Sequence, residues 1–268
     1  MANLTTVAGA EVVLPAIRKI TVSDLFDVLD KGWEDFMAKP TLVPMIIVVY
    51  SMAALIAFAA YSDYDMLPLV FPIVSGGVLI GPFATIAMAE VSRRRAKGLD
   101  YAEMRGYDFI HSPAIGDVVL LGGMMVALFF FWLTTAMTIF GMTLGDPWNN
   151  LATPTNSLAD FITLLLTTGR GWALIILGNG VGLTFAVAAL CISAISFPMI
   201  LDRNVGIGVA VHTSIRAVVE NPVVMGGWGV IVVGSLIVGA LPALAGLIVV
   251  MPVLGHATWH LYRKLVAD

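Results

Sequence analysis

Long runs of apolar residues alternate with short polar segments along this chain. Six runs are long enough to cross a membrane, at residues 42–60, 67–89, 117–141, 172–200, 223–240 and 242–262, because about 20 apolar residues in a helix span a bilayer core of about 30 Å. The last two runs are continuous, and we place the turn between them at Gly239–Pro242, where glycine and proline favour a break. The pattern predicts an all-α membrane protein with six transmembrane helices.

The segment before the first run, TVSDLFDVLDKGWEDFMAKP, is amphipathic. Its apolar stripe consists of Leu25, Leu29, Trp33 and Phe36, and most of its acidic residues lie elsewhere on the helix. Ser23 is the predicted N-cap, and Pro40 marks the exit into the first span. We therefore predict an interfacial helix within an N-terminal segment (residues 1–40), followed by a six-helix transmembrane domain (residues 41–268).

A similar segment, VGIGVAVHTSIRAVVENP, precedes the fifth run. Its apolar stripe consists of Val211, Ile215 and Val218. Its polar row consists of His212, Arg216 and Glu220. The loop YAEMRGYDFIHSP is a weaker copy before the third run. These copies suggest three units, each an interfacial helix, a proline and a transmembrane hairpin. The alternative is that such segments precede membrane spans without any duplication. Elsewhere, LADFITLLLTT predicts one short helix that cannot cross a membrane.

Composition excludes a soluble globular protein, because 59% of the residues are hydrophobic and only 12% are charged. With a cytoplasmic N-terminus, Arg170 is the only lysine or arginine predicted on the opposite side. This asymmetry fits the positive-inside rule and predicts that both termini are cytoplasmic. The basic residues lie beside the spans among acidic ones, so the lipid bilayer is a predicted partner and nucleic acid is not. The single cysteine, Cys191, permits no intrachain disulfide.

Two histidines near the C-terminus raise the question of a metal or haem site. His256 and His260 share a helical face at a spacing of four and could bind a metal jointly, with His212 as a further ligand. Their neighbours Trp259 and Tyr262 instead indicate an aromatic and basic interfacial belt. We predict the belt, with no metal, no haem or other cofactor and no catalytic residue. The other predicted interfacial residues are Trp33, Arg93, Arg94 and Arg95.

The fourth run contains the polar, glycine-rich stretch LGNGVGLTF. Its small residues, Gly178, Gly180 and Gly182, would let a neighbouring helix approach, and Asn179 would hydrogen-bond across that contact. The alternative is a polar substrate path through the membrane. Glu90, at the inner end of the second run, is predicted to pair with the arginines that follow it.

Three segments carry a family resemblance: RKITVSDLFDVLDKGWEDFMAKP, GLDYAEMRGYDFI and FPMILDRNVGIGVAVHTSIRAVVENPVVMGGWGVIVV. They resemble a family of uncharacterised integral membrane proteins common in proteobacteria. The most distinctive pattern comprises Phe197, Pro198, Leu201, Asp202, Arg203, Ala210, Ser214, Ala217, Asn221 and Pro222. The resemblance implies six helices in the bacterial inner membrane.

Some members of this family are labelled as similar to cytochrome c oxidase subunit I, but this chain has six predicted spans rather than twelve and lacks intramembrane histidines that would ligate haem. We therefore expect a non-enzymatic accessory or scaffold subunit of an energy-transducing complex, with other membrane subunits, such as those of a respiratory oxidase, as partners. The alternatives are a small transporter or channel, or a haem- or metal-binding redox protein.

Overall fold

The computed structural model describes residues 4–7, 10–40, 46–47, 50–51, 72, 86–100, 113–145, 158–242 and 244–267. Most of the first two predicted spans and the loop YAEMRGYDFIHS lie outside these residues. The chain divides into two compact units. The first unit comprises residues 1–49, 81–124 and 190–268, and the second comprises residues 50–80 and 125–189. The N-terminal segment therefore belongs to the same unit as the C-terminal helices.

Nearly all of the described chain is helical. The helices are α1 (Val22–Ala38), α2 (Ile86–Ala96), α3 (Ile115–Leu144), α4 (Leu158–Thr167), α5 (Gly169–Ser193), α6 (Ser196–Arg203), α7 (Ile207–Glu220), α8 (Pro222–Ala240) and α9 (Leu247–Leu265). The all-α prediction missed one antiparallel pair, β1 (Leu4–Val7) and β2 (Ala10–Val13). Both strands contain β-branched residues, which favour extended backbone. Helix α4 confirms the short helix predicted from LADFITLLLTT.

Three stretches in the described part of the chain are long and apolar enough to cross a membrane. They are α3, residues 169–203 (which include α5 and α6) and α8, and they correspond to the third, fourth and fifth predicted spans. The sixth run forms α9, which is not among these three stretches. Its last turns carry two histidines, an arginine and a lysine, which make it less apolar. The described residues thus support transmembrane helices at three of the six predicted positions.

The predicted break between the fifth and sixth runs is confirmed. Helix α8 ends at Ala240 and α9 begins at Leu247. A Cβ atom on Gly246 would lie 2.7 Å from the carbonyl oxygen of Gly239, so the turn needs glycine at this close approach. Leu244, within the turn, has a positive φ of 68°. The chain reverses here because its glycines let backbone pack on backbone.

Helix α1 packs along α9 in the first unit. A Cβ atom on Gly32 would lie 2.8 Å from the Cβ atom of Ala257, so the two helix backbones are very close. Leu25 and Phe36, from the predicted membrane-facing stripe, are buried, whereas Trp33 is exposed. The predicted apolar stripe is therefore divided between a protein-facing side and an exposed side, because α9 covers part of it.

The start of α1 also differs from the prediction. Its N-cap is Thr21 rather than Ser23. The Thr21 backbone N–H donates to a carboxylate oxygen of Asp24 over 2.8 Å, and the Thr21 hydroxyl donates to the same oxygen over 2.7 Å. The carboxylate three residues into the helix therefore decides which residue begins it.

The second unit has its own apolar core. Trp132, Ala136 and Ala189 are buried there, with Leu128, Val181 and Phe185 packed against them. The rings of Trp132 and Phe185 lie 5.5 Å apart between centroids, and the indole N–H of Trp132 donates to the carbonyl of Pro72 over 3.1 Å. This core joins the middle of α3 to α5.

Candidate functional site

A polar cluster lies where α1, α2 and α9 meet in the first unit. We call it the Asp35 cluster; its members are Asp35, Ser92, Arg95, His256 and His260. The carboxylate of Asp35 is nearly inaccessible to solvent and contacts Nε2 of His260 at 2.8 Å and the guanidinium of Arg95. Burial alone would raise the pKa of Asp35, but hydrogen bonds from His260, Ser92 and Arg95 hold that pKa well below its ordinary value. Asp35 is therefore an ionised, buried link between three helices.

His256 occupies the interior of this cluster. It is fully buried, and its Nδ1 atom lies 2.8 Å from the hydroxyl oxygen of Ser92. Ser92 is buried as well, so this serine–histidine contact is closed to a substrate from solution. Each of the two histidines singled out from the sequence thus contacts a different helix, His256 reaching α2 and His260 reaching α1.

The arginine run of α2 is also occupied by internal partners. Glu90 receives two hydrogen bonds from Arg93, at 2.6 and 2.7 Å, and one from Arg94, at 2.9 Å. Arg95 contacts Asp35. The predicted pairing of Glu90 is confirmed: Arg93 and Arg94 bind it within α2. Of the three arginines predicted to lie at the interface, Arg95 is the one that joins α2 to another helix, α1.

A second group, the Asp202 cluster, joins α2, α6 and α9. Its members are Lys97, Asp202, Arg203, Tyr262 and Arg263. The ammonium of Lys97 lies 2.6 Å from Asp202, and the Tyr262 hydroxyl donates to Asp202 over 2.9 Å. Arg203 in turn donates to the Tyr262 oxygen over 2.9 Å and to the carbonyl of Ala267 over 2.5 Å. The end of α6 is thereby attached to the C-terminal segment.

Further ion pairs attach the start of α1 to the end of α9. The ammonium of Lys264 lies 2.7 Å from Asp24 and 2.8 Å from Asp27. Hydrogen bonds from Lys264 first, and then from Thr21, hold the pKa of Asp24 well below its ordinary value. Asp27 also pairs with Lys31 at 3.1 Å, and its pKa is lowered by Lys264 and then Lys31. These carboxylates stay charged at neutral pH.

Asn221 holds the segment that precedes α1. This residue lies between α7 and α8 and is buried. Its carboxamide oxygen accepts from the Ile20 N–H over 3.1 Å, and its nitrogen donates to the Arg18 carbonyl over 3.2 Å. Arg18 also donates its backbone N–H to the carbonyl of Leu265 over 2.8 Å. Residues 16–20 are thus bound on one side by the α7–α8 junction and on the other by the C-terminal segment.

The glycine-rich stretch of α5 lies in the second unit. Asn179 is exposed and donates over 2.8 Å to the carbonyl of Ile175 in its own helix. The part of the chain that the structure describes contains no hydrogen bond from Asn179 to another helix, so the predicted bond across a helix contact stays a prediction. A Cβ atom on Gly178 or Gly180 would meet no atom within 4 Å among the described residues. A Cβ atom on Gly182 would lie 3.1 Å from Trp132. Only Gly182 of the three glycines is therefore needed for close packing within the described chain.

The aromatic residues assigned to the interfacial belt are not equivalent. Trp259 and Tyr262 are fully buried in the first unit, with ring centroids 5.4 Å apart. Trp33 is 49% exposed on α1. His212 is exposed on α7 and is not a member of the Asp35 cluster. Among the described residues, no group of three or more His, Cys, Asp or Glu side chains is placed to hold a metal ion.

Comparison with known families bears on what kind of protein has these apolar helices. Residues 70–202 match the model of a family described as "Predicted integral membrane protein (DUF2189)". This DUF2189 match extends from within the second predicted span to Asp202 and supports the identification of the chain as an integral membrane protein in contact with lipid. No curated protein and no solved structure matches the chain.

The DUF2189 match and the distinctive pattern noted in the sequence overlap at the end of α6. Phe197 and Leu201 are buried there, and Asp202 anchors its cluster. Further along the same pattern, Ser214 is fully buried and its hydroxyl accepts from the Ile195 N–H over 3.4 Å. The pattern therefore marks residues that join helices in the first unit.

Sequence reasoning missed Asp35 and Asp202 as centres of these clusters. One signal was available for Asp35: it lies beside Phe36 and three residues after Gly32, on the face of α1 that is buried. A carboxylate on the buried side of an amphipathic helix requires a partner. The identity of that partner, His260, was not readable from local sequence because it is 225 residues away.

Proposed function

We propose that this chain is a non-catalytic accessory or scaffold subunit of an energy-transducing inner-membrane complex, with a respiratory oxidase as the first assembly to test. The proposal places both termini in the cytoplasm. Its main support is the exposed polar and small-residue surface around Asn179 and Gly180 on an otherwise apolar span. A scaffold needs such a surface to bind another membrane helix.

The chemistry of Asn179 supports a helix partner at this surface. Its carboxamide has two donors and an oxygen acceptor, and it makes a 2.8 Å hydrogen bond to Ile175 of the same helix. A carboxamide facing hydrocarbon is stabilised when a neighbouring helix supplies further hydrogen bonds. Among the described residues, no atom would lie within 4 Å of a Cβ atom on Gly180, which would let such a helix come close.

The ionic clusters of the first unit support a structural role. Asp35, Glu90 and Asp202 are each paired with basic side chains of the same chain. The pairs of Asp35 and Asp202 link α1, α2, α6 and α9 within that unit, whereas Glu90 pairs within α2. A rigid body of this kind suits a subunit that positions other proteins.

Purification from native membranes in mild detergent tests the proposal. We expect oxidase subunits and a haem spectrum to accompany the wild-type chain. Gly180→Leu should reduce the recovery of these subunits. Gly141→Leu, on α3, serves as the matched control, because a Cβ atom on Gly141 would likewise meet no atom within 4 Å among the described residues. A colourless protein recovered alone would overturn the proposal.

A small transporter or channel is the second candidate, and Asn179 again favours it, because a polar side chain exposed along a span can line a path. Asn179→Leu should then abolish uptake or efflux in cells while expression remains intact. In the scaffold proposal the same variant loses partner subunits instead. The two measurements, made on one variant, separate these functions.

A further inference from the structure

Helix α1 has an apolar stripe that faces away from the first unit's core. The stripe consists of Val22 (50% exposed), Phe26 (62%), Trp33 (49%) and Met37 (58%). These positions share one helical face because they are spaced by four, seven and four residues. They differ from the face that packs on α9, which carries Leu25, Val28, Gly32 and Phe36. We call the four exposed residues the outer stripe.

The third face of α1 is charged and carries more acidic residues than basic ones, with Lys31 among the latter. Asp30 and Glu34 are exposed and adjoin the outer stripe, and Asp27 lies on the same polar side. Helix α1 therefore presents one face to protein, one apolar face outward and one charged face outward. This division is typical of a helix that lies along a membrane surface, with its apolar side in lipid and its charged side in water.

The position of α1 beside a membrane span indicates what covers the outer stripe. Leu25 Cδ1 lies 3.4 Å from the Cβ position of Gly227, in the second turn of α8. Asn221, immediately before α8, binds the backbone of Ile20, two residues before α1. The N-terminal ends of α1 and α8 therefore lie side by side. Because α8 is apolar enough to cross a membrane, the start of α1 lies beside the point where α8 enters the bilayer.

We propose that the bilayer surface binds the outer stripe, and that apolar burial rather than headgroup charge drives this binding. The acidic flank of α1 would repel anionic lipid phosphates. The arginines of α2, which the sequence predicts at the interface, are engaged by Glu90 and Asp35. Trp33 suits the boundary between headgroups and acyl chains because its ring is apolar with one polar N–H. This inference does not depend on which assembly the chain serves.

Spin labelling of the full-length chain in phosphatidylcholine vesicles tests the inference. In a Cys191→Ala background, nitroxides are attached at Phe26→Cys and Met37→Cys, with Glu34→Cys as the matched control on the charged face of the same helix. Collision rates with oxygen, which concentrates in lipid, and with a nickel chelate, which stays in water, are measured by electron paramagnetic resonance. We expect an oxygen-to-nickel ratio several-fold higher at Phe26→Cys and Met37→Cys than at Glu34→Cys.

Three other outcomes would overturn the inference. Equal ratios at Glu34→Cys and the two stripe positions would mean that the stripe faces water. Low collision rates with both reagents at the stripe would mean that another protein, or a second copy of this chain, covers it. A ratio that rises only when phosphatidylglycerol is added to the vesicles would mean that headgroup charge drives the binding. Two stripe positions are labelled so that misfolding of one variant leaves the test intact.

Discussion

Replacing Asp35 with asparagine tests whether the Asp35 cluster holds α1 on α9. The substitution keeps the size of the side chain and removes its charge. Asp35 is 3% exposed, so the loss falls on a site where water cannot replace the carboxylate. Of the three side chains that donate to this carboxylate, the two basic ones are His260 and Arg95.

The exposure of each partner sets the magnitude. The His260 side chain is 19% exposed, and a hydrogen bond to a charged group at such a site contributes about 1.5–3 kcal/mol. The Arg95 side chain is 37% exposed, so solvent screens this pair and its contribution is about 0–1 kcal/mol. We expect Asp35→Asn to lower the free energy of unfolding by about 1.5–4 kcal/mol.

The assay is reversible unfolding in detergent micelles, followed by circular dichroism. Asp27→Asn is the matched control, because Asp27 lies on the same helix and pairs with Lys31 and with Lys264 of α9 at exposed sites; it should cost about 1 kcal/mol or less. If the two variants lose the same free energy, the buried link is not holding α1. A double-mutant cycle with His260→Asn measures the coupling between Asp35 and His260 directly. This coupling should stabilise the folded state.

The difference in the free energy of unfolding between the wild type and Asp35→Asn should also depend on pH, which gives a second test. The pKa of Asp35 is lowered in the folded state, so its stabilising effect is fully present above the unfolded pKa of about 4. It declines as pH falls from there towards the lower folded value. The difference should therefore shrink as pH falls below about 4. A difference that keeps its full size well below pH 4 would contradict the assigned charge state of Asp35.

Three further predictions concern packing and the termini. Gly32→Ala should cost about 1–3 kcal/mol in the same unfolding assay, because its Cβ would meet Ala257. Gly226→Ala, on α8, should cost nothing, because its Cβ would meet no atom of the described residues within 4 Å. Trp132→Ala should cost about 3–5 kcal/mol by emptying the core of the second unit, far more than Trp172→Ala at a half-exposed ring; equal losses would disprove that core. Asn221→Leu should speed proteolysis within residues 14–21, and unchanged cleavage would show that its hydrogen bonds to Ile20 and Arg18 do not hold that segment.

The sequence by itself determined the helical membrane character and several boundaries. Apolar runs of span length identify α3, α5 and α8, because a helix in lipid satisfies its own backbone hydrogen bonds and needs only local sequence. Glycine and proline located the turn before α9 for the same local reason. The pairing of Glu90 was also predictable, since its partners follow three and four residues later on the same helix.

The tertiary structure alone decided which face of α1 is covered and which polar residues meet. Periodicity showed that α1 is amphipathic, but the division between Leu25, which is buried, and Phe26, which is exposed, depends on where α9 lies. Asp35 and His260 are 225 residues apart in the chain, and no local pattern encodes their contact. Side chains at such separation are brought together by the packing of whole helices, so their roles as partners emerge only when the fold is complete.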